Sequence, residues 1–198
     1  MLLYTPFVVA YMCGWFRSIS YTLFWKSRLK RATNDSIQLF SLQNQSFHAK
    51  VVDVYDGDTC SIVIQDNCRL RKFRVRCAGY DSPEMKPPKT LVNREDVIRK
   101  AILARNYFVS KVTNCAINTQ YLYTKPEMQS ILHTNTKLVQ IACGGWDKYG
   151  RLLADFYVDG DHINADMIAH NHGYPYDGKT KLVDGDKIGD KDGVGSGV

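Results

Sequence analysis

The sequence predicts a mainly β, α+β chain: a closed five-stranded Greek-key barrel with two or three packed helices. Three observations carry this. Short runs of alternating apolar and polar residues recur, and the early ones are separated by Asp-Gly or Asp-Asn turns. One amphipathic helical stretch precedes the fourth run, and another follows the fifth. At 198 residues, with 44% hydrophobic and 12% aromatic content, the chain can bury a core without a disulfide staple.

The first strand starts with Val51, Val52 and Val54, and Asp56-Gly57-Asp58 is a hairpin-turn signal. Cys60, Ile62 and Ile64 alternate with Ser61, Val63 and Gln65 in the second, which Asp66-Asn67 turns back. In the third, Phe73, Val75 and Cys77 share one face, and Lys72, Arg74 and Arg76 share the other. A closed barrel buries the first of these faces. Lys72 and Arg74 read as a solvated exterior. Arg76 differs, because it lies five residues before Asp81.

Ser82-Pro83-Glu84 leads into a rigid, basic, non-helical stretch. A helix follows, with Asn93 as N-cap and Glu95 and Asp96 in its first turn. Val97, Ala101, Ala104 and Phe108 recur at helical spacing, so its apolar face is expected on the barrel. Residues 113–136 read as an insertion with a short second helix, in which Lys125-Pro126 breaks any long element. Leu138, Val139, Ile141 and Cys143 make a fourth strand ending at Gly144-Gly145. After Asp147-Lys148-Tyr149-Gly150-Arg151, a fifth strand runs from Leu152 to the turn Asp159-Gly160-Asp161. A last helix spans about Ile163 to His170, stopped by Gly173 and Pro175. This order suggests a barrel of the OB-fold type. Periodicity alone also permits an SH3-like barrel.

Flanking segments bound the domain, placed at 47–177. Residues 1–31 form a hydrophobic leader with no acidic residue, and the run before Arg17 is uncharged. A membrane anchor or membrane-lying helix over 1–25 is expected, with a targeting leader or a helix packed on the domain as the alternatives. The basic cluster at 26–31 would put the downstream domain on the cytoplasmic side. Residues 32–46 read as a polar linker. The tail 178–198 has six glycines and no aromatic residue, a composition that argues for disorder.

Net charge is +6, but five of the 26 basic residues lie in 1–31, leaving 21 basic against 20 acidic residues. Affinity of the folded part for a polyanion must therefore come from local patches. The six cysteines include no C-x-x-C pair, which argues against zinc and fits reduced core thiols.

Asp56-Gly57-Asp58-Thr59, Asp81-Ser82-Pro83-Glu84 and Asp147 to Arg151 place several carboxylates and two arginines at strand ends. That composition can hold a hard cation beside a phosphate. Read singly, Asp56 and Asp58 are turn formers, Arg76 and Arg151 are ion-pair partners, and Glu84 is a solvated acid. His162, His170 and His172 do not converge with the acids.

The spacing of D-G-D-T, V-R-C-A-G-Y-D-S-P-E and D-K-Y-G-R resembles the staphylococcal (thermo)nuclease family, over roughly residues 48–175. The resemblance implies an OB barrel with added helices and calcium-dependent cleavage of DNA and RNA that leaves 3′-phosphate ends. By position it makes Asp58 and Asp81 the calcium carboxylates, with Ser82 lending its backbone carbonyl and Asp56 a supporting acid nearby. Glu84 orients or deprotonates the attacking water. Arg76 and Arg151 grip the scissile phosphate. Lys148 and Tyr149 contact a neighbouring phosphate and nucleotide. A monomer is expected. The leader, the insertion and the tail depart from the bacterial prototype. The competing expectation is a catalytically inactive nucleic-acid-binding or membrane-tethered scaffold of the same fold.

Overall fold

A computed structural model of the chain describes residues 24–177. The expectations for residues 1–23 and for the tail from 178 onward lie outside the described residues. The chain divides at Ser41/Leu42 into two units. In the first, residues 24–31 are helical (α1), with the Arg28 guanidinium 5.3 Å from the centre of the Trp25 ring. No helix among the described residues is long and apolar enough to cross a membrane.

The second unit is the barrel. Its strands are β1 (Ser46–Val54), β2 (Thr59–Asp66), β3 (Arg69–Cys77), β5 (Val139–Trp146) and β6 (Leu152–Val158), with β4 (Tyr80–Asp81), β7 (Asp161–His162) and β8 (Tyr174–Pro175) as short additions. β1 pairs antiparallel with β2 and β5, β2 with β3, and β5 with β6. A parallel pairing of β3 with β6, Val75 opposite Leu152 and Arg76 opposite Leu153, closes the five strands. Closure in this order is the OB-like α+β arrangement.

Alternation explains the core. Val51, Ile62, Ile64, Val75, Ile141, Leu152 and Phe156 all point inward and are almost wholly buried. Each fully buried aliphatic or aromatic side chain contributes about 1.5–3 kcal/mol. Helix α2 (Arg94–Val112) buries Val97, Ala101, Ala104 and Phe108, the spacing read from the sequence, and joins this core through Ala104, Phe108, Val109 and Val112. Phe108 meets Phe156 edge-on at 5.5 Å. α4 (Ile163–Ala169) docks Ile163 and Met167.

The expected elements differ from the structure at several places. The domain begins before 47: Leu42, at 2% exposure, belongs to the core, and β1 starts at Ser46. One apolar residue in a polar stretch carries no periodicity to announce it. Asn93 precedes α2 but makes no capping hydrogen bond through its side chain. Within the insertion, Pro126 starts a helix instead of breaking one. α3 (Lys125–Thr134) has Thr124 as N-cap, with a reciprocal capping box to Glu127, and proline in the first turn lacks an N–H that would be orphaned anyway. Leu138 is exposed, and β5 continues through Gly144-Gly145 to Trp146 across a register shift.

Candidate active site

The site is built where three loops meet one end of the barrel. The first is the β1–β2 turn. Tyr55 N–H donates to the Thr59 carbonyl at 2.9 Å, and the Asp56 carboxylate accepts from Asp58 N–H at 3.2 Å. Gly57 is required by a close approach. A Cβ there would lie 2.9 Å from both the Ser82 and Ala104 Cβ atoms, so the turn presses against the second loop and against α2. Gly57→Ala is therefore expected to cost about 1–3 kcal/mol through overpacking. Denaturant unfolding checks this, and an unchanged midpoint would contradict it.

The second loop follows β3. Arg76 stands near the end of β3 and lies between two buried carboxylates. Its Nη1 is 2.6 Å from Asp58 Oδ1, and its Nη2 is 2.6 Å from Asp81 Oδ1. Asp58 also accepts from Thr59 Oγ1 at 2.8 Å and from Ser82 N–H at 2.8 Å. Asp81 accepts from the Tyr174 hydroxyl at 2.8 Å, and the β4–β8 pairing brings that tyrosine there. Tyr80 is buried and donates to the Gly57 carbonyl at 2.6 Å, which ties this loop to the first.

The third loop joins β5 to β6. Asp147 closes it by accepting from Tyr149 N–H and Arg151 N–H, at 2.9 and 2.8 Å. Gly150 adopts φ +74°, a conformation that favours glycine. Asp147 Oδ2 also takes Arg151 Nε at 2.7 Å, and Arg151 Nη1 reaches Thr59 Oγ1 at 3.1 Å. Burial works against charge on Asp147, but the hydrogen bonds from Arg151 outweigh it and hold the carboxyl below its ordinary range.

These loops enclose a cavity of about 680 Å³. Asp56, Asp58, Arg76, Asp81, Glu84, Lys148, Tyr149 and Arg151 all line it. Ser82 sits behind the wall, 2% exposed, and its hydroxyl has no hydrogen-bond partner. The three histidines stay out of the cavity, as expected. His162 meets Asp155, His170 meets Asp166, and His172 lies on the Tyr107 ring.

Four acids and four cations line the cavity, the cations being Arg74, Arg76, Lys148 and Arg151. Burial pushes Asp56 up to about 8, and the Asp58 and Glu84 charges add to the rise. Burial also disfavours the Arg76 cation, but Asp58 and Asp81 more than offset that and raise its pKa. Among the described residues, no three acidic, histidine or cysteine side chains form a ready-made metal cage. Arg76 instead bridges the two carboxylates expected to be ligands. The donor set still fits a hard cation. Asp58 and Asp81, with Asp56 beside them, offer carboxylate oxygens at the cavity wall, the donor type a hard cation takes.

Sequence reasoning missed several participants. Thr59 joins Asp58 to Arg151, Tyr176 places its ring 5.5 Å from the Arg76 guanidinium, and Tyr55 and Arg74 complete the lining. Tyr174 and Tyr176 lie far along the chain from the acids, so spacing gave no signal. Asp147 was legible only as part of its loop, because its role is to brace Arg151. Arg74 is exposed on the strand exterior, as read from the sequence, and also lines the cavity mouth. No protein-family model matches the chain, and no curated protein matches it.

Proposed function

We propose that this chain is a calcium-dependent nuclease of the staphylococcal type, hydrolysing phosphodiester bonds in DNA and RNA with little sequence preference. The observation that carries the reading is the convergence of Asp58, Arg76, Asp81, Glu84 and Arg151 on one cavity from three separate loops. A solvated exterior would scatter these groups.

Asp58, Asp81 and the Ser82 carbonyl would hold calcium. When bound, the ion supplies Lewis-acid polarisation of a phosphoryl oxygen and neutralises charge there. Glu84 orients the attacking water and takes its proton. The water oxygen bonds to phosphorus, the P–O5′ bond breaks, and the 5′ oxygen leaves and takes up a proton from solvent water to become a hydroxyl, while Glu84 returns its proton to solvent. A 3′-phosphate remains. Arg76 and Arg151 donate to the oxygens on which charge grows, and their planar forks suit that geometry better than an ammonium group. Arg76 exchanges one of its carboxylate bonds for a phosphate oxygen as it does so. Lys148 and Tyr149, both exposed at the rim, contact the neighbouring phosphate and nucleotide.

The purified full chain is expected to digest plasmid and single-stranded DNA with added calcium and to stop with excess chelator. Undiminished cleavage in chelator would remove the metal from the account. The commitment of Arg76 to Asp58 and Asp81 favours one other reading, an inactive binding module. Binding of DNA with no cleavage at any calcium concentration would establish that module instead.

A further inference from the structure

β3 continues beyond the cavity. On its outward face Arg76, Arg74 and Lys72 occupy alternate positions, opposite Thr59, Ser61 and Val63 of β2. Alternate positions on an antiparallel strand are about 6.8 Å apart, twice the rise per residue. Arg74 lines the cavity and Lys72 lies beyond it at the surface. β6 pairs with β3 only over Val75–Cys77, so along the Arg69–Arg74 stretch β3 pairs only with β2 among the described residues.

The charges on this face are not balanced. Nearby arginines have acidic partners: Arg71 has Asp66, Arg76 has Asp58 and Asp81, and Arg151 has Asp147. Among the described residues, Arg74 and Lys72 have no carboxylate partner. Arg74 and Lys72 thus run outward from the ion-paired Arg76 with no carboxylate in ion-pair contact, which leaves them open to an anion lying along the strand.

We propose that the outward face of β3 is a track for a single-stranded polynucleotide, with Arg74 and Lys72 each contacting a phosphate outside the scissile one. This rests on the nuclease reading and names where the rest of the substrate lies. A row of cations at regular spacing matches one extended phosphate backbone. The Arg76 side chain is 12% exposed at the inner end of the row, a recess that suits a flexible single strand better than a rigid duplex. Tyr55, at 51% exposure, stands at the cavity as a ring on which a base can stack irrespective of sequence, while the Tyr149 ring has Lys148 and Arg151 over it at 5.1 and 5.5 Å.

The test is binding of a fluorescein-labelled 12-mer of deoxythymidylate to the full chain, in chelator, across a series of salt concentrations. Each phosphate contact contributes about 0.7 to the slope of log K against log salt for single strands. Lys72→Gln is expected to reduce the slope by about 0.7, and Lys72→Gln with Arg74→Gln by about 1.4. Both positions are on the strand exterior, and thermal melting confirms that the variants are folded. Arg69→Gln removes the same charge from the other side of the strand and is expected to leave the slope unchanged.

An unchanged slope in the double variant would overturn the track. So would an equal loss in Arg69→Gln, which would indicate a diffuse field. Tighter binding of a 12-base-pair duplex than of the single strand would overturn it as well. No cleavage is involved, so the two readings fail separately. An inactive chain that keeps these slopes refutes only the nuclease, and an active chain without them refutes only the track.

Discussion

Replacing Arg151 by lysine is expected to lower kcat by roughly tenfold to several thousandfold while KM moves far less. The size reflects the work of the guanidinium. Asp147 fixes Nε and Thr59 fixes Nη1, which leaves Nη2 with no hydrogen-bond partner among the described residues. One face of the fork is a brace and the remaining donor is available to substrate. Lysine keeps the charge but cannot hold the brace and present a forward donor together. Hydrogen bonds to charged groups contribute about 1.5–3 kcal/mol each, and one or two are lost. Interactions made mainly in the transition state lower kcat more than they raise KM. Near-normal turnover, or a rise in KM alone, would show that Arg151 is a binding or structural residue.

Asp58→Ala is expected to have the largest effect on stability as well as removing activity. Asp58 is 2% exposed and accepts from Arg76, Thr59 and Ser82 at once. Removing it leaves Asp81 as the one ion-pair partner of Arg76 among the described residues and leaves the Ser82 N–H without its acceptor. Breaking a buried ion pair from one side typically costs about 3–5 kcal/mol. For a domain of this size that corresponds to a Tm lower by roughly 6–20 °C. Calcium adds a second readout. A ligand that binds only the folded state raises Tm with its concentration, so the parent chain should gain stability on adding calcium and Asp58→Ala should not. A variant that melts with the parent, or keeps its calcium shift, would contradict the place given to Asp58.

Much of the barrel was legible because its strands are short and half-buried, so inside and outside alternate residue by residue. The run from Lys72 to Cys77 states its own face assignment, and Val75 and Cys77 are buried as it predicts. That Asp58, Arg76, Asp81, Glu84 and Arg151 could meet was legible because each sits at a turn or strand end. The parts that were not legible depend on contacts distant in sequence. Leu42 joins the core from within a polar stretch. Pro126 reads as a breaker until Thr124 and Glu127 are seen to cap the helix it begins. The pairing of β4 with β8 is only two residues long on each side, yet it delivers Tyr174 to Asp81 across 93 positions of sequence. Arg76 is the most instructive case. Its spacing to Asp81 set it apart from Lys72 and Arg74, but did not show that it would stand between the two acids. That placement comes from charge balance in a buried site, which no spacing encodes.

The most direct test of the central claim is the chemistry of the cut ends. A 5′-labelled single-stranded oligonucleotide is digested by the purified full chain with calcium, and in parallel with chelator. The expected products are fragments ending in 3′-phosphate, with 5′-hydroxyls on the downstream side, formed only with calcium and at scattered positions. Fragments ending in 3′-hydroxyl, or the same fragments in chelator, would contradict it.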